Sequence, residues 1–338
     1  MNNELLNEDG FWEQKSVLVT GAGGFIGSHL VEQLVGQGAA VRAFVRYNSR
    51  GDAGLLRQLP PAAHAKLQII SGDLRDGPAI QEAVDGCEYV FHLGALISIP
   101  YSYLHTYEVA ETNFMGTLNV LSACRRSGVT RLLHTSTSEV YGTARYTPMD
   151  ETHPLQGQSP YSASKIGADK MAESFYCAYG LPVVTVRPFN TYGPRQSARA
   201  VIPALITQAL TCDVVRVGNL ETSRDFTYVS DTVDGFLCAA RAANIEGKTF
   251  NLGTGSEVKI GSLVDKILSM IGSQAKVTVD ELRLRPKDSE VYRLLSDNGL
   301  ARNNLHWRPR TSLEQGLKET IAWIQEHLDL YRIGSYEF

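Results

Sequence analysis

The sequence predicts an α/β protein: a doubly wound parallel sheet with a smaller, discontinuous C-terminal lobe. Three observations carry this prediction. Short apolar runs alternate with amphipathic stretches of helical period, the pattern of strands covered on both faces. A glycine-rich turn joins the first such run to the first helix. The alternation breaks after Arg187-Pro188, where turns and arginines become frequent.

The elements follow in order. Ser16 to Thr20 (SVLVT) reads as a buried strand, and Gly24 to Gln37 as the helix after it. Val41 to Val45, Leu67 to Ile70, Glu88 to His92, Arg131 to Thr135 and Val183 to Arg187 are the next five strands, with Thr249 to Leu252 a seventh. Ala79 to Val84, Thr112 to Ser127 and Tyr161 to Tyr179 have the spacing of intervening helices. Beyond Pro188, helical stretches at Ile202 to Leu210, Ile260 to Ile271 and Ser312 to His327 are interleaved with polar segments.

The chain has 338 residues, 43% hydrophobic and 20% charged, enough for a large core with a second lobe. A net charge of −4 advertises no basic face for nucleic acid. No apolar run reaches membrane-spanning length. The first fifteen residues lack the basic start and apolar stretch of a signal peptide. Five scattered cysteines form no Cys-x-x-Cys pair and read as reduced core residues of a cytoplasmic protein. His64, His105, His153 and His306 show no metal-ligand spacing, so no metal is expected.

Thr20 to Leu30 follows a strand and opens a helix, with glycines 21, 24 and 27 in G-x-x-G-x-x-G spacing. Gly21 permits the tight turn, Gly24 lets a pyrophosphate approach the backbone, and Gly27 lets helix and strand pack closely. The unpaired N–H groups of the helix start then face the anion. A purely structural turn is the bland alternative. With the strand order above, this is a Rossmann-type dinucleotide site. NAD sites usually carry an acidic residue at the end of the second strand. Here Arg46 stands there, able to meet a 2′-phosphate, so NADP is favoured over NAD; a solvated surface arginine is the alternative. Asp73, after the third strand, is placed to accept from the adenine amino group or to cap a turn.

Ser159 and Pro160 suit the start of a helix that carries Tyr161 and Lys165 at i and i+4, on one face. A free tyrosine titrates near pH ~10, too high for a base at neutrality. A neighbouring ammonium and a nicotinium cation favour the phenolate. Lys165 is also placed to hold the nicotinamide ribose. The run Thr135-Ser136-Thr137-Ser138-Glu139 ends the fifth strand. A carboxylate added to a Tyr-x-x-x-Lys pair points to handling of a second proton, hence to elimination rather than plain oxidation.

These residues resemble the extended short-chain dehydrogenase/reductase superfamily, specifically its nucleotide-sugar epimerases and dehydratases. The resemblance runs from Ser16 to about Gln325. It includes His92-Leu93-Gly94-Ala95, Asn113 with Gly116 to Val120, Arg187-Pro188-Phe189-Asn190, Arg224-Asp225-Phe226 and Leu305 to Pro309. It implies a dinucleotide-binding domain over 15–188 and 227–253, a nucleotide-sugar-binding lobe over 189–226 and 254–338, and a flexible extension over 1–14. Cofactor contacts are implied for Gly21, Gly24, Phe25, Ile26, Gly27, Arg46, Asp73, Leu74, Leu93, Ala95, Asn113, Ser136, Tyr161, Lys165 and Pro188. Asn190, Arg195, Arg224 and Arg285 are implied substrate ligands, the arginines matching phosphate in geometry as well as charge. A homodimer through the helices at 112–127 and 161–179 is also implied.

Within the family, the run Thr137-Ser138-Glu139 discriminates. C4 epimerases lack a carboxylate at the position of Glu139. Thymidine-diphosphoglucose dehydratases usually carry Asp-Glu in place of Ser138-Glu139. GDP-mannose 4,6-dehydratases share Thr-Ser-Glu and an arginine matching Arg46; UDP-xylose synthases share Thr-Ser-Glu too. His134 to Gly142, Pro154 to Asp169 and Arg187 to Pro203 are most similar to dehydratases of legionaminic-acid pathways, which act on N-acetylglucosamine linked to UDP or GDP. The resemblance therefore implies a 4,6-dehydratase with Tyr161 as base at the sugar O4, Thr137 positioning O4, and Glu139 removing the C5 proton. Ser138 or Glu139 would protonate the leaving C6 hydroxyl. The alternatives are a UDP-glucuronate decarboxylase or hexose 4-epimerase of the same family, and a non-catalytic Rossmann-type binding protein.

Overall fold

The computed structural model describes residues 10–332. Seven parallel strands form the main sheet: β1 (Ser16–Thr20), β2 (Ala40–Arg46), β3 (Gln68–Gly72), β4 (Tyr89–His92), β5 (Arg131–Thr135), β6 (Val183–Pro188) and, late in the chain, β10 (Thr249–Leu252). Between β6 and β10 the chain lays down β7 (Asn190–Tyr192), β8 (Val214–Val217) and β9 (Ser223–Tyr228); β11 (Glu257–Lys259) and β12 (Lys276–Val279) follow. The large sheet runs β10-β6-β5-β4-β1-β2-β3, a second sheet β11-β9-β7, and β12 pairs with β8. The seven expected strands are all present, with ends shifted by at most two residues.

The helices are α1 (Phe25–Gly36), α2 (Pro61–His64), α3 (Gly77–Val84), α4 (Ile99–Leu104), α5 (Thr106–Ala110), α6 (Gly116–Ser127), α7 (Pro160–Tyr179), α8 (Val201–Thr211), α9 (Val229–Arg241), α10 (Ile260–Ile271), α11 (Gly299–Asn304) and α12 (Leu313–Glu326). Alternation along β1 shows why both faces are covered. Val17 and Val19 point into one core with Leu30 and Leu34 of α1 and Val233 and Phe236 of α9. Leu18 points into the other, with Ile80 of α3, Leu121 of α6 and Phe175 of α7. A buried strand must therefore be apolar at every position, which is why the runs read as continuous.

Strand order reverses between β1 and β4, the crevice where ligands bind in open α/β sheets. Two glycine positions make that crevice. Gly21 has φ +68, and a Cβ there would lie 2.7 Å from the Gly94 nitrogen. At Gly27 a Cβ would lie 2.2 Å from the Gly21 carbonyl oxygen, so helix and turn meet only without one.

The expectation of a flexible extension over 1–14 is corrected from residue 10 onward; residues 1–9 lie outside the described residues. Trp12 is 1% exposed and stacks edge-on against Tyr89, with ring centres 5.1 Å apart. Gln14 N–H donates to Gly38 C=O at 3.0 Å, tying the segment to the α1–β2 turn. The cysteines divide: Cys87 and Cys124 are buried, Cys177 is exposed, and none is bridged. Among the described residues no helix is long and apolar enough to cross a membrane.

Trp12→Ala removes a fully buried indole from the edge of the β4 core. It is expected to cost about 3 kcal/mol, read as a lower urea midpoint. An unchanged midpoint would show that the aromatic cluster contributes nothing to the fold.

Candidate functional site

The site assembles where β5 and β6 end and α7 begins, against the segments that carry Arg224 and Arg285. Ser159 caps α7 in the expected manner, its hydroxyl accepting from Ser162 N–H at 3.1 Å while Ser162 Oγ accepts from Ser159 N–H at 3.0 Å. Tyr161 and Lys165 then lie one turn apart and buried. Thr137 heads a 3-10 turn, Ser138–Tyr141, and its hydroxyl accepts from Glu139 N–H at 3.2 Å. The same hydroxyl hydrogen-bonds the Tyr161 phenol. Glu139 turns its carboxylate toward Arg285, 3.4 Å away, and is near enough to Tyr161 and Arg224 to act on both electrostatically. Ser138 is buried beneath them.

Charge balance at Tyr161 differs from expectation. The phenol is pushed up, first by burial and then by Glu139 and Asp169, with only the Thr137 bond opposing. Lys165 does not supply the expected relief: its ammonium donates to Thr135 C=O at 2.6 Å. Lys165 itself is lowered to about 8 by burial, with Asp169 opposing. The protein's own charges therefore keep Tyr161 neutral, and ionising it requires a further cation beside the ring.

A cavity of about 470 Å³ opens next to this cluster, between the α4 region and the second lobe. Asn190, Arg224 and Arg285 line it, together with Arg199, Arg216, Tyr103 and Glu290. Asn190 Oδ1 is buried without a partner, and Arg224 sits 3.7 Å from Glu290. Tyr103, from the cluster after Pro100, bonds Ser289 at 2.6 Å and joins the two lobes across the cavity mouth.

Several expected contacts go elsewhere. Arg195 does not line the cavity; it pairs with Glu32 of α1 at 2.7 Å. Asn113 is fully engaged within the protein: its Oδ1 accepts from Leu96 N–H at 2.8 Å, and its Nδ2 donates to Leu96 C=O at 2.9 Å and Ser164 Oγ at 3.0 Å. It sits in a one-turn π-helix, Glu111–Met115, and fixes the wall of the site rather than facing into it. Ser136 Oγ donates to Asp169 at 2.8 Å. Asp73 is held by Arg75 at 2.7 Å, and its Oδ1 accepts from Arg75 N–H, the turn-capping alternative. Arg46 ends β2 as expected, but with Glu108 3.0 Å away. Leu74 packs under Gly94 and Gly116, and Leu93 and Ala95 form the half-buried loop after β4. Pro188 is buried in register with Leu252.

A dinucleotide fits the residues present at the turn. Gly24 caps α1 without a side-chain bond, Gly24 and the half-buried Phe25 and Ile26 leave the first turn open, and that turn holds no acidic residue. The positive end of the helix is thus free for a phosphate. Beside it, Thr20 O–H donates to His92 Nδ1 at 2.8 Å, and His92 Nε2–H donates to Thr117 at 3.0 Å. The bond of Thr117 O–H to Asn113 C=O at 2.6 Å fixes this direction. Burial lowers His92, so the imidazole stays neutral.

The sequence reading missed Asp169, Glu108 and Glu290. Asp169 had a signal: an acid one turn after Lys165, on the helix face that also carries Tyr161.

Comparison with known proteins agrees with this geometry. The sequence profile of the family described as GDP-mannose 4,6 dehydratase matches residues 18–320. A dTDP-glucose 4,6-dehydratase of Actinoplanes sp. is 33% identical over 313 residues, covering 91% of this chain and 97% of that protein. A putative UDP-glucose 4-epimerase of Methanocaldococcus jannaschii is 30% identical over 92% of this chain and 99% of its own. The structure of the dTDP-glucose 4,6-dehydratase DesIV from Streptomyces venezuelae, solved with NAD bound, superposes with a TM-score of 0.83 at 28% identity, over 94% of this chain and 99% of that one. Matching over nearly its whole length, with the seven-stranded sheet and the Tyr161–Lys165 helix in place, this chain belongs to the GDP-mannose 4,6 dehydratase family of extended short-chain dehydrogenases/reductases.

Proposed function

We propose that the protein is a nucleotide-sugar 4,6-dehydratase acting on UDP- or GDP-linked N-acetylglucosamine or a related hexose. The observation that carries this reading is the Glu139 carboxylate, which is close enough to the Tyr161 phenol to act on it electrostatically and pairs at 3.4 Å with Arg285, a residue of the cavity lining. An epimerase needs one base at O4; an elimination needs a second at C5.

The residues then divide the work. Arg224, Arg285 and Asn190 bind the diphosphate and nucleotide side of the substrate. A nicotinamide dinucleotide held at the glycine turn over 21–27 would supply a reversible hydride acceptor for C4 and C6. Thr137 orients the sugar O4, and Tyr161 takes the O4 proton as a ketone forms. That ketone acidifies the C5 hydrogen, which Glu139 removes. The C6 hydroxyl leaves as water with the proton that Glu139 took from C5, passed directly or relayed through Ser138. As hydride reaches C6, C5 is protonated through Glu139 by a second proton, matching the one Tyr161 took from O4. Arg285 adds a control: it holds the Glu139 carboxylate at 3.4 Å until a diphosphate competes for its guanidinium.

Cofactor choice follows Arg46. Its position at the end of β2 supports NADP, while Glu108 competes with a 2′-phosphate for the same guanidinium. The DesIV relative, bound to NAD, makes NAD the alternative. Five unbridged cysteines support a cytoplasmic setting. Tyr107 and Met115, exposed beside the α5–α7 contact, support a homodimer through these helices.

The second reading is the 4-epimerase or decarboxylase of the same fold, favoured by the resemblance to the M. jannaschii protein. A non-catalytic dinucleotide-binding protein is the third, against which the joined Thr137, Tyr161 and Lys165 speak.

Purified protein incubated with UDP- and GDP-N-acetylglucosamine, UDP-glucose and GDP-mannose is expected to yield a 4-keto product lighter by one water. Recovery of only unchanged-mass epimer, or loss of carbon dioxide from UDP-glucuronate offered in parallel, defeats the proposal. Glu139→Gln is expected to keep transient cofactor reduction while dehydration slows about 10²–10⁴-fold; dehydration at the normal rate assigns the base elsewhere. Arg46→Ala is expected to weaken NADPH binding with little effect on NADH, by fluorescence titration. Equal loss of both removes the case for NADP.

A further inference from the structure

Behind the candidate site lies a second, buried set of charges that the proposed reaction does not use; Asp169 and Arg187 line a separate cavity of about 530 Å³. Asp169, on α7, is 5% exposed. Its carboxylate accepts four bonds: from His134 Nε2 at 3.1 Å, Ser136 Oγ at 2.8 Å, and Arg187 Nε and Nη2 at 3.2 and 2.9 Å. Arg187 Nη1 donates to Tyr141 OH at 2.9 Å, and Tyr141 O–H donates to Asn251 Oδ1 at 2.7 Å. Asn251 Nδ2 in turn donates to Met149 C=O at 3.0 Å.

Each partner sits beside a candidate group. Ser136 precedes Thr137, Tyr141 ends the turn that carries Glu139, and Asp169 follows Lys165 by one helical turn. One carboxylate thus joins the elements bearing the O4 base, the C5 base and the ammonium. A buried ion pair rarely repays its desolvation as stability, so retention of this one points to a specific task.

We infer that Asp169 is a positioning residue: its carboxylate locks α7 to the ends of β5 and β6 and holds Lys165 as a cation one turn away. This rests on the roles proposed above for Tyr161 and Lys165. The charges facing Lys165 are few. From α7 come Asp169 and Tyr161; from β5, His134; from β4, His92. Burial lowers both histidines and raises Tyr161, so each is biased toward its neutral form. Asp169, held at about 2 by its partners, stays ionised. Lys165 titrates at about 8, and its charge is lost as pH rises through that value.

The test uses the full-length protein labelled with 13C at lysine Cε, the Lys165 signal being assigned by its loss in Lys165→Met. In Asp169→Asn the Lys165 midpoint is expected to fall by about one pH unit. The alkaline limb of cofactor reduction should move down with it, while nucleotide-sugar affinity holds. Arg187 is left unpaired in that variant, so Asp169→Asn/Arg187→Met, which removes both charges, guards against misfolding and is expected to shift in the same direction. An unmoved midpoint in either folded variant overturns the inference. Absence of turnover in the unmodified protein would instead defeat the proposed function, and the lysine titration still reads the Asp169 effect.

Discussion

Two carboxylates set the character of this site, and they are treated in opposite ways. Asp169 is buried behind β5 and β6, its Oδ1 accepting from His134 and its Oδ2 from Ser136 and twice from Arg187. Glu139 is paired instead with Arg285, 3.4 Å away, a residue that lines the cavity. In a low-dielectric interior a fully bonded carboxylate is a fixed charge, whereas one held by a single exchangeable partner is a reagent. Glu139 is presented from the turn after β5, and Asp169 from α7 packed against the ends of β5 and β6.

The Tyr161–Lys165 pair takes its properties from that arrangement. Burial and two carboxylates oppose the phenolate, and Lys165 is turned onto a backbone carbonyl. A tyrosine so placed is inert until a cation arrives beside it. On the proposed reading, hydride chemistry is coupled to cofactor occupancy, and proton abstraction at C5 is coupled, through Arg285, to substrate occupancy. For the proposed dehydratase, both couplings would limit side reactions, since that reaction returns its cofactor unchanged.

Much of this was legible in the sequence because the signals were local. Apolar runs with β-branched residues gave the strands; the spacing of Gly21, Gly24 and Gly27 gave the turn; and Ser159-Pro160 gave the start of α7. What failed was long-range. Whether Asn113 and Ser136 face a ligand depends on Leu96, Ser164 and Asp169, which approach only in the fold. Arg195 reads like any phosphate-binding arginine until Glu32, 163 residues earlier, is found beside it. Trp12 lay in a polar segment, and nothing in its neighbours announced the aromatic ring of Tyr89.

The most direct test is isotopic. A nucleotide sugar deuterated at C4 should give a product with that deuterium at C6, because one hydride leaves and returns at different carbons. Deuterium found again at C4 of an epimer or a decarboxylated sugar would contradict the assignment of Glu139 as the base that opens the elimination.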